Sequence, residues 1–412
     1  MSEQQQDDPG VSLVGTQFEA QIGKVAHGGH CVTRYDDRVV FVRHALPGET
    51  VRVRITSGGT DDRFLLGDAV EVLDPSEHRV TPRCRFSGAG RCGGCDWQHC
   101  ELMYQRELKA AVVVEQFKRL AGLDVDVDVE ALPGDDEGIR WRTRTEFAID
   151  AAGAAGLHPH HSHEVIPVDD CLISTKRVIQ TGVLDRRWRT ATSVDVVDAS
   201  GEPRAVTVPL PQGDSTAPFV TERVDTGDWA AEFRFSARGF WQVHPGAAAT
   251  YVAHVLRELA PAPGERAMDL YAGVGLFALA LADAVGPEGA VLAIESDGRA
   301  IRDAKSNLRH RPEIELRRGK VERLLKPLAR QGVRADLVVL DPPRTGAGKS
   351  VIKDLAALGP RAIAYVACDP AALARDVAYA RDAGYGIRSL RAFDAFPMTH
   401  HVECIAVLEP SA

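Results

Sequence analysis

Ala267-Met-Asp-Leu-Tyr-Ala-Gly-Val-Gly-Leu-Phe-Ala278 has the pattern of a buried strand, a glycine-rich turn and the first turn of a helix. Gly273 and Gly275 allow the backbone to approach a ligand at positions where a Cβ atom would collide with it. The Gly-x-Gly-x-x-Ala spacing also fits a dinucleotide site, so the glycines alone leave the ligand open. The segment predicts a Rossmann-like α/β domain with a cofactor at this turn.

Two carboxylates next to this turn narrow the choice of cofactor. Asp269 stands near the end of the strand, where it can accept hydrogen bonds from an ammonium group. Glu295 ends the next predicted strand and is placed to accept both hydroxyls of a ribose. An amino acid joined to a nucleoside describes S-adenosylmethionine, which we predict in preference to NAD. The alternative is that both residues are ordinary carboxylates at strand ends.

From about Ala237 onward, apolar strand-like runs alternate with alanine-rich helical stretches. This alternation is typical of a mostly parallel α/β sheet. The strand-like runs are Ala267–Leu270, Ala290–Ile294, Asp336–Leu340 and Ala362–Val366. We therefore assign residues 236–412 to one α/β domain.

The N-terminal part has a different pattern. Residues 1–12 have the composition of a flexible tail, and short alternating runs with turn signals at Gly28-Gly29 and Pro47-Gly48-Glu49 predict a small OB-like β-barrel over residues 13–74. Residues 75–235 are predicted to form a mixed α+β central domain that contains a cysteine-rich loop. The predicted barrel strands are Gln17–Ile22, Val39–Val42, Val51–Ile55 and Asp68–Val72, and the central elements are a helix over Glu101–Ala121 and strands over Arg142–Ile149 and Glu232–Ser236.

Composition limits the functional classes. The 412 residues are 44% hydrophobic and 26% charged, as in ordinary folded proteins, and the length predicts several domains. No apolar run is long enough to span a membrane, and the first ten residues are not signal-like, so we expect a cytoplasmic protein. In that compartment thiols stay reduced, so we expect the eight cysteines to serve metal binding or catalysis. Because the net charge is −9, any contact with RNA must be local. Candidate basic patches are Arg83, Arg85 and Arg91; Arg140, Arg142 and Arg144; and Arg186, Arg187 and Arg189.

Two further motifs lie at predicted strand ends of the α/β domain. Asp341-Pro-Pro-Arg-Thr-Gly346 follows one strand, and its prolines stiffen the loop so that Asp341 faces the edge of the sheet where ligands bind. Tyr365-Val-Ala-Cys368-Asp-Pro370 places a thiol at the same edge, which makes Cys368 a candidate nucleophile. Taken alone, Cys368 also fits an inert buried cysteine.

The C-terminal segment from Phe393 to Glu403 supplies candidate bases. If the thiolate adds to an unsaturated carbon of a substrate ring, the neighbouring carbon becomes nucleophilic, and once that carbon is methylated a base must remove its proton. Glu403, just ahead of the apolar run Cys404–Leu408, is the candidate base, and His401 is the weaker alternative.

Together these motifs resemble those of the RNA uracil-5-methyltransferase family over nearly the whole chain. The similar segments are Asp341-Pro-Pro-Arg-x-Gly, the Tyr-x-x-Cys-x-Pro around Cys368, and Asp394-x-Phe-Pro-x-Thr-x-His-Val-Glu403, which stands directly after Phe393. The resemblance implies that Cys368 is the nucleophile and Glu403 the proton acceptor. It implies cofactor contacts at Gln242, Tyr271, Glu295 and Asp341, of which Gln242 carries no signal of its own.

The resemblance extends to the barrel and also has departures. Residues around Gly28-Gly29, Phe41-Val42 and Pro47-Gly-Glu49 resemble a TRAM domain, an RNA-binding barrel. Four positions depart from the family pattern and bear on the hydrogen bonding of the site and on substrate choice. They are Ala367, Asp369, Leu276 and Met398.

Four thiols form a possible metal site: Cys84, the Cys92-Gly-Gly-Cys95 turn, and Cys171. Four thiolates suit either zinc or an iron-sulfur cluster, and the spacing does not decide between them. The resemblance implies a [4Fe-4S] cluster held by these four residues. We treat Cys31 and Cys100 as spectators.

With the resemblance, the sequence predicts an S-adenosylmethionine-dependent enzyme that forms 5-methyluridine in structured RNA. The resemblance implies 23S ribosomal RNA in preference to transfer RNA. No membrane and no obligate protein partner is indicated. Methylation of a small molecule or protein leaves the barrel and Cys368 unexplained. A non-catalytic iron-sulfur RNA-binding protein is disfavoured by the intact Cys368, Glu403 and Asp341.

Overall fold

The computed structural model describes residues 10–210 and 217–411. The predicted tail lies mostly outside this range, but Ser12 forms a β-bridge with Gly59. The chain forms two compact units, the first running to Val112 and including His158–Glu164 and Met398–His400, the second comprising the rest. The division into three domains remains a prediction.

The first unit is built on a five-stranded sheet. The strands are β1 (Gln17–Gln21), β2 (Cys31–Tyr35), β3 (Arg38–Arg43), β4 (Thr50–Ser57) and β5 (Phe64–Asp74). Their order is β1-β4-β5-β3-β2, and the edge strands β1 and β2 also contact each other, so the sheet closes on itself as a small barrel. Alternation places one face of each strand inside, as in β4, where Val51, Val53 and Ile55 are fully buried. All four predicted barrel strands are present.

A tight turn between β1 and β2 depends on glycine. Gly29 has φ +79°, and a Cβ atom added there would lie 2.5 Å from Cβ of His400. The Gly29 carbonyl accepts a hydrogen bond from the Trp97 indole at 3.1 Å. The close approach therefore excludes any larger residue at this position.

Helix α1 (Leu102–Gln116) begins in the first unit and ends in the second, where a π-helical turn, Phe117–Ala121, continues it up to Gly122. The next elements in chain order are β6 (Val129–Ala131), β7 (Arg144–Ile149), β8 (Ala155–Leu157), β9 (Ile166–Pro167), α2 (Lys176–Gln180), β10 (Ser193–Asp198), β11 (Ala205–Leu210), β12 (Phe219–Asp225) and β13 (Ala230–Ser236). Five of these strands form a sheet of order β11-β10-β7-β8-β9, and β12 pairs with β13 as a hairpin.

The remaining elements form the α/β part of the second unit. They are α3 (Ala247–Leu259), β14 (Arg266–Leu270), α4 (Leu276–Val285), β15 (Ala290–Glu295), α5 (Gly298–Asn307), β16 (Ile314–Arg318), α6 (Val321–Arg330), β17 (Leu337–Leu340), α7 (Gly348–Ala357), β18 (Ala362–Ala367), α8 (Pro370–Asp382), β19 (Tyr385–Asp394) and β20 (Glu403–Pro410). Every residue of β17 and β18 is buried, as expected of parallel strands covered by helices on both faces.

The eight-stranded sheet has the order β16-β15-β14-β17-β18-β20-β19-β6. Strands β14 to β18 run parallel, so their carboxyl ends meet at one edge of the sheet. Strand β20 is antiparallel to β18, with Ala367 opposite Cys404, so β20 begins where β18 ends. This register brings the start of β20 to the edge that carries the ends of the parallel strands.

One strand lies outside the domain that its sequence position predicted. Strand β6 belongs to the predicted central region, yet it pairs in parallel with β19 and forms the edge of the α/β sheet, with Glu130 opposite Phe393. Three residues carry too little periodicity to show this pairing in the sequence.

Candidate active site

The loop after β14 has the conformation that its glycines allow. Tyr271, Gly273 and Gly275 have φ of +66°, +56° and +95°. A Cβ atom added at Gly273 would meet nothing within 4 Å, whereas one at Gly275 would lie 3.0 Å from Leu308. Open space therefore lies beside Gly273. A side chain at Gly275 would press against Leu308 and would also be strained by the positive φ.

Asp269 is buried in β14 below this loop, with 1% of its surface exposed. Its Oδ2 atom accepts a hydrogen bond from the Ala278 amide at 2.8 Å, and among the described residues its Oδ1 atom has no hydrogen-bond partner. Burial raises the pKa of Asp269 to about 8 against the opposing effect of the Ala278 bond, and the carboxylates of Asp341 and Glu295 raise it further. An orphaned, buried carboxylate oxygen fits a site that receives a cationic group.

Glu295 ends β15 and closes the loop from the other side. Its Oε2 atom accepts from the Gly273 amide at 2.9 Å, and Oε1 accepts from the amides of Ser296 and Asp297 at 2.5 and 2.6 Å. A carboxylate has about four acceptor sites, so the carboxylate that orders the loop retains limited capacity for a ribose hydroxyl.

Tyr271 and Gln242, which the resemblance implies as cofactor contacts, lie in different surroundings. Tyr271 is half-buried, and burial raises the pKa of its hydroxyl. Gln242 is 9% exposed and lines a cavity of about 620 Å³ together with Trp241. The backbone beside it is held by Thr143, whose amide and hydroxyl both donate to the Val243 carbonyl at 2.9 Å. We found no sequence signal for Gln242 other than the resemblance.

The candidate nucleophile and base come from neighbouring strands. Cys368 follows β18 immediately, and Glu403 is the first residue of β20, beside Cys404, which lies opposite Ala367 in the register. Asp341 follows β17, its amide bonded to the Leu270 carbonyl at 3.3 Å. The topology thus brings these three residues to one edge of the sheet.

The charges of Asp341, Cys368 and Glu403 influence one another's pKa values. Burial raises the pKa of Glu403 well above its usual value, and the Asp341 carboxylate raises it further. Burial also raises the pKa of Asp341 to about 7. The pKa of Cys368 is raised to about 11, first by burial and then by Glu403 and Asp341, while the cation of Arg344 lowers it. A group of carboxyls that resist ionisation next to a thiol is typical of a catalytic site.

His401, the alternative base, has another partner. Its Nε2 atom lies 3.4 Å from an Nη atom of the exposed Arg344, and its ring contacts Phe396 edge-on at 5.7 Å. Glu403 is only 3% exposed, and its charge acts directly on the thiol. Glu403 is thus buried beside the thiol, whereas His401 lies beside an exposed cation.

Three of the four departures from the family pattern are accommodated locally. Asp369 caps α8 by accepting from the Ala372 amide at 2.7 Å, a role that Asp and Asn fill equally well. Leu276 begins α4 and packs against the core. The Met398 side chain is 6% exposed, and its sulfur accepts a hydrogen bond from the Gln105 amide group at 3.3 Å. For Ala367, buried at the end of β18, the structure shows no compensating contact.

The predicted metal ligands are divided between the two units. Cys84, Cys92 and Cys95 lie in a loop of the first unit and are partly exposed, while Cys171 is buried in the second. Within the loop, the Gly94 amide donates to Sγ of Cys92 at 3.4 Å and the Gln98 amide group donates to Sγ of Cys95 at 3.5 Å. In residues 10–210 and 217–411, no group of three or more His, Cys, Asp or Glu side chains is arranged to hold a metal ion.

Two arginines of one predicted basic patch differ in how far they are buried and paired. Arg144 is a buried structural residue, 3.3 Å from Glu222, with side chains 11% and 7% exposed. Arg140 pairs with Asp170 at 2.7 Å but also lines the 620 Å³ cavity, together with Lys176 and other cationic side chains. The other cations of this cavity are Arg177, Arg204 and Arg223.

Comparison with known proteins gives consistent matches. Residues 11–70 match the TRAM domain, and residues 214–411 match the family described as tRNA (Uracil-5-)-methyltransferase. An uncharacterized RNA methyltransferase of Streptomyces coelicolor is 47% identical over 98% of this chain and 94% of its own length. One of Bifidobacterium longum is 36% identical over 95% of this chain and 96% of its own.

The solved structures include one similar to the whole chain. It is the tRNA (uracil-54, C5)-methyltransferase of Pyrococcus abyssi in complex with S-adenosyl-L-homocysteine, with a TM-score of 0.67 and 22% identity, covering 95% of this chain and 99% of that one. This likeness confirms the predicted fold class: a multidomain chain with an N-terminal barrel and a methyltransferase-type α/β sheet. No helix in the described part of the chain has both the length and the apolar character needed to cross a membrane.

Proposed function

The chain belongs to the family of S-adenosylmethionine-dependent RNA uracil-5-methyltransferases, and we propose that it forms 5-methyluridine in ribosomal RNA through a covalent adduct with Cys368. The observation that carries the proposal is the register of β18 and β20, which brings a thiol and a buried carboxyl to the same edge of the sheet.

In the proposed reaction, Cys368 is the nucleophile and Glu403 is the base. The Cys368 thiolate attacks carbon 6 of the target uracil, a sulfur–carbon bond forms, and the electron pair of the 5,6 double bond moves to oxygen 4 as an enolate. S-adenosylmethionine, held by the proposed cofactor residues, would supply the electrophilic methyl group that carbon 5 takes up, with S-adenosylhomocysteine as the leaving group. Glu403 then accepts the carbon 5 proton, and the electron pair of that bond restores the double bond and expels the thiolate.

In the free protein, the surroundings of Cys368 disfavour the thiolate that the reaction needs. The pKa of Cys368 is raised to about 11, so the thiol is almost entirely protonated at neutral pH. Arg344 is the cation that opposes this effect, and its exposed position on the rim leaves it accessible to the substrate. We expect RNA binding to change the surroundings of the thiol before attack occurs.

The side chains of the proposed cofactor site have the chemical groups that S-adenosylmethionine needs. Asp269 offers to a cationic ligand a buried carboxylate oxygen that has no partner in the described part of the chain, and Gly273 borders open space. Glu295 and Asp341 are the other carboxylates that act on Asp269. With Tyr271, Gly275 and Gln242 they complete the proposed cofactor contacts.

The cavity beside Gln242 supports an RNA substrate. Five cationic and three acidic side chains line it, an excess of positive charge on a chain whose net charge is −9. Lys176 and Arg177 are exposed at its rim. Such a local cluster of cations can bind the phosphates that flank a target uridine.

A separate part of the proposal is the class of RNA that is methylated. The TRAM barrel together with the cysteine-rich loop favours 23S ribosomal RNA through the family resemblance, and the description of the matched family favours transfer RNA as the alternative. Both substrates use the same chemistry at Cys368. Only an assay with each RNA separates them.

We further propose that Cys84, Cys92, Cys95 and Cys171 are the ligands of a [4Fe-4S] cluster with a structural role. Support comes from the donor set: none of the four forms a disulfide, and two of the sulfurs accept N–H hydrogen bonds of the kind that tune cluster thiolates. No step of the methylation depends on the cluster.

The cluster proposal has its own test. Protein purified without oxygen should contain four irons and four sulfides per chain, to be measured by chemical analysis and visible absorption. Cys92→Ser and Cys171→Ser should lower the iron content, while Cys100→Ser should not. Folded wild-type protein without iron or sulfide, or equal iron loss in all three variants, contradicts the assignment.

The central experiment uses labelled S-adenosylmethionine with unmodified 23S ribosomal RNA and transfer RNA, followed by nucleoside chromatography. Label should appear in 5-methyluridine, and RNA containing 5-fluorouridine should form a denaturant-resistant complex because fluorine cannot leave as a proton does. Cys368→Ala should abolish both results, whereas the matched control Cys404→Ala should retain the complex. Label in another nucleoside, or a complex with Cys368→Ala, refutes the mechanism.

A further inference from the structure

A tyrosine hydroxyl is buried in the α/β unit without a visible role. Tyr251, on α3, has 0% of its surface exposed, and among the described residues its hydroxyl has no hydrogen-bond partner. Burial of an unpaired hydroxyl costs free energy that a phenylalanine of the same shape would avoid. The hydroxyl therefore requires an explanation other than packing.

The position of Tyr251 connects it with the reacting groups. Helix α3 packs against β18 and β20, the strands next to Cys368 and Glu403. The Tyr251 ring lies 5.7 Å from the ring of Phe393, and Phe393 is the register partner of Glu403 across β19 and β20. The buried hydroxyl is thus on a helix that packs against β18 and β20, and the Tyr251 ring contacts the residue that pairs with Glu403.

Electrostatic interactions also connect Tyr251 with the groups of the candidate site. Burial raises the pKa of Tyr251 well above its usual value, and the carboxylates of Glu403 and Asp341 are the next contributions, followed by Cys404 and Cys368. The phenol therefore keeps its proton at neutral pH and can donate a hydrogen bond to a carboxylate.

We propose that Tyr251 is a positioning residue that donates a hydrogen bond to the Glu403 carboxylate, directly or through one bound water, when Glu403 acts as the base. The inference rests on the proposed function. A base that is buried beside Asp341 resists ionisation, yet it must be ionised to remove the carbon 5 proton. A donor aimed at the ionised form stabilises it and orients the accepting oxygen.

Tyr251→Phe tests this role because it removes only the hydroxyl. Two rates are compared: formation of the denaturant-resistant complex with 5-fluorouridine RNA, which needs no proton removal, and release of tritium from RNA labelled at carbon 5 of uridine. We expect complex formation within about twofold of wild type and tritium release slowed about ten- to a hundredfold, as for loss of a hydrogen bond to a charged group. The pH–rate profile for release should shift to higher pH.

Tyr385→Phe is the matched control. Tyr385 is 5% exposed, and its hydroxyl donates to the Pro360 carbonyl at 2.8 Å, at the start of β19 rather than at its end. This variant should lose thermal stability without changing the ratio of the two rates. Equal slowing of both rates by Tyr251→Phe, or an unchanged release rate and pH profile, overturns the inference. A wild-type protein that forms no complex refutes the proposed function instead.

Discussion

Replacement of Asp269 by asparagine should remove a pH dependence from the stability of the protein. The substitution keeps the shape of the side chain and the oxygen that accepts from the Ala278 amide at 2.8 Å. It removes a titratable group that is 1% exposed and whose pKa is raised from 3.8 to about 8, chiefly by burial. The variant therefore separates the ionisation of Asp269 from its packing.

The sign follows from the raised pKa. Between about pH 4 and pH 8 the folded protein holds a proton on Asp269 that the unfolded chain has lost, so this group makes the free energy of unfolding fall as pH rises through that window. One unit of pH corresponds to about 1.4 kcal/mol, so from pH 5 to pH 7 the loss is about 2.6 kcal/mol. Asp341 and Glu403 act in the same direction, but they are present in both proteins.

The assay is denaturant unfolding of the cofactor-free protein at pH 5 and pH 7. The free energy of unfolding of Asp269→Asn relative to wild type should rise by about 2–3 kcal/mol between these pH values. Asp336→Asn serves as the control, since Asp336 accepts from the Arg266 amide at 2.8 Å at the opposite end of β14. A difference between Asp269→Asn and wild type that does not change with pH would refute a raised pKa.

Proton release on cofactor binding provides a second way to measure the ionisation of Asp269. The ammonium and sulfonium charges of S-adenosylmethionine favour ionised Asp269, so binding to wild type at pH 7 should release about 0.9 proton from a group of pKa about 8. Calorimetry in two buffers of different ionisation enthalpy measures this number. Equal proton release by wild type and Asp269→Asn would show that Asp269 does not face the cofactor.

Three other predictions concern the base, a buried ion pair and the cationic cavity. Glu403→Gln should accumulate the methylated covalent complex on ordinary uridine RNA, seen as a labelled band on a denaturing gel; normal turnover would exclude Glu403 as the base. Arg144→Met leaves Glu222 buried without its cation and should cost about 3–5 kcal/mol in denaturant unfolding, while adding Glu222→Leu should recover much of the loss. If the double variant is as unstable as the single one, the pair is not the cause. Lys176→Ala and Arg177→Ala should each weaken RNA binding and lower the slope of log K against log salt by about 1, measured by filter binding at several salt concentrations; unchanged slopes would exclude the cavity as an RNA site.

Much of the architecture was predictable from local patterns. The four predicted barrel strands and the four predicted strands of the α/β sheet are present, because period 2 and continuous burial are properties of a few neighbouring residues. Strand β2 of the barrel was not predicted. The predicted helix from Glu101 to Ala121 is α1 followed by a π-helical turn. Strand β6 escaped prediction because its three residues are stabilised by pairing with β19, far away in the chain.

The candidate site was predictable in its chemistry but not in its electrostatics. The motifs around Asp341, Cys368 and Glu403 identify a thiol and carboxyls at strand ends. The preference for Glu403 over His401 became a structural argument only when Arg344 was found beside His401. Arg144, a candidate RNA contact in the sequence, is instead a buried partner of Glu222.

The sequence by itself determined the elements and the residue types of the site, because strand period, glycine turns and reactive side chains are local properties. Only the tertiary structure decided that Ala367 lies opposite Cys404 and that Tyr251 is buried on a helix packed against β18 and β20. It also decided that, among the described residues, one oxygen of Asp269 has no hydrogen-bond partner. Register, desolvation and the proximity of charges depend on residues far apart in the chain, so no local pattern encodes them.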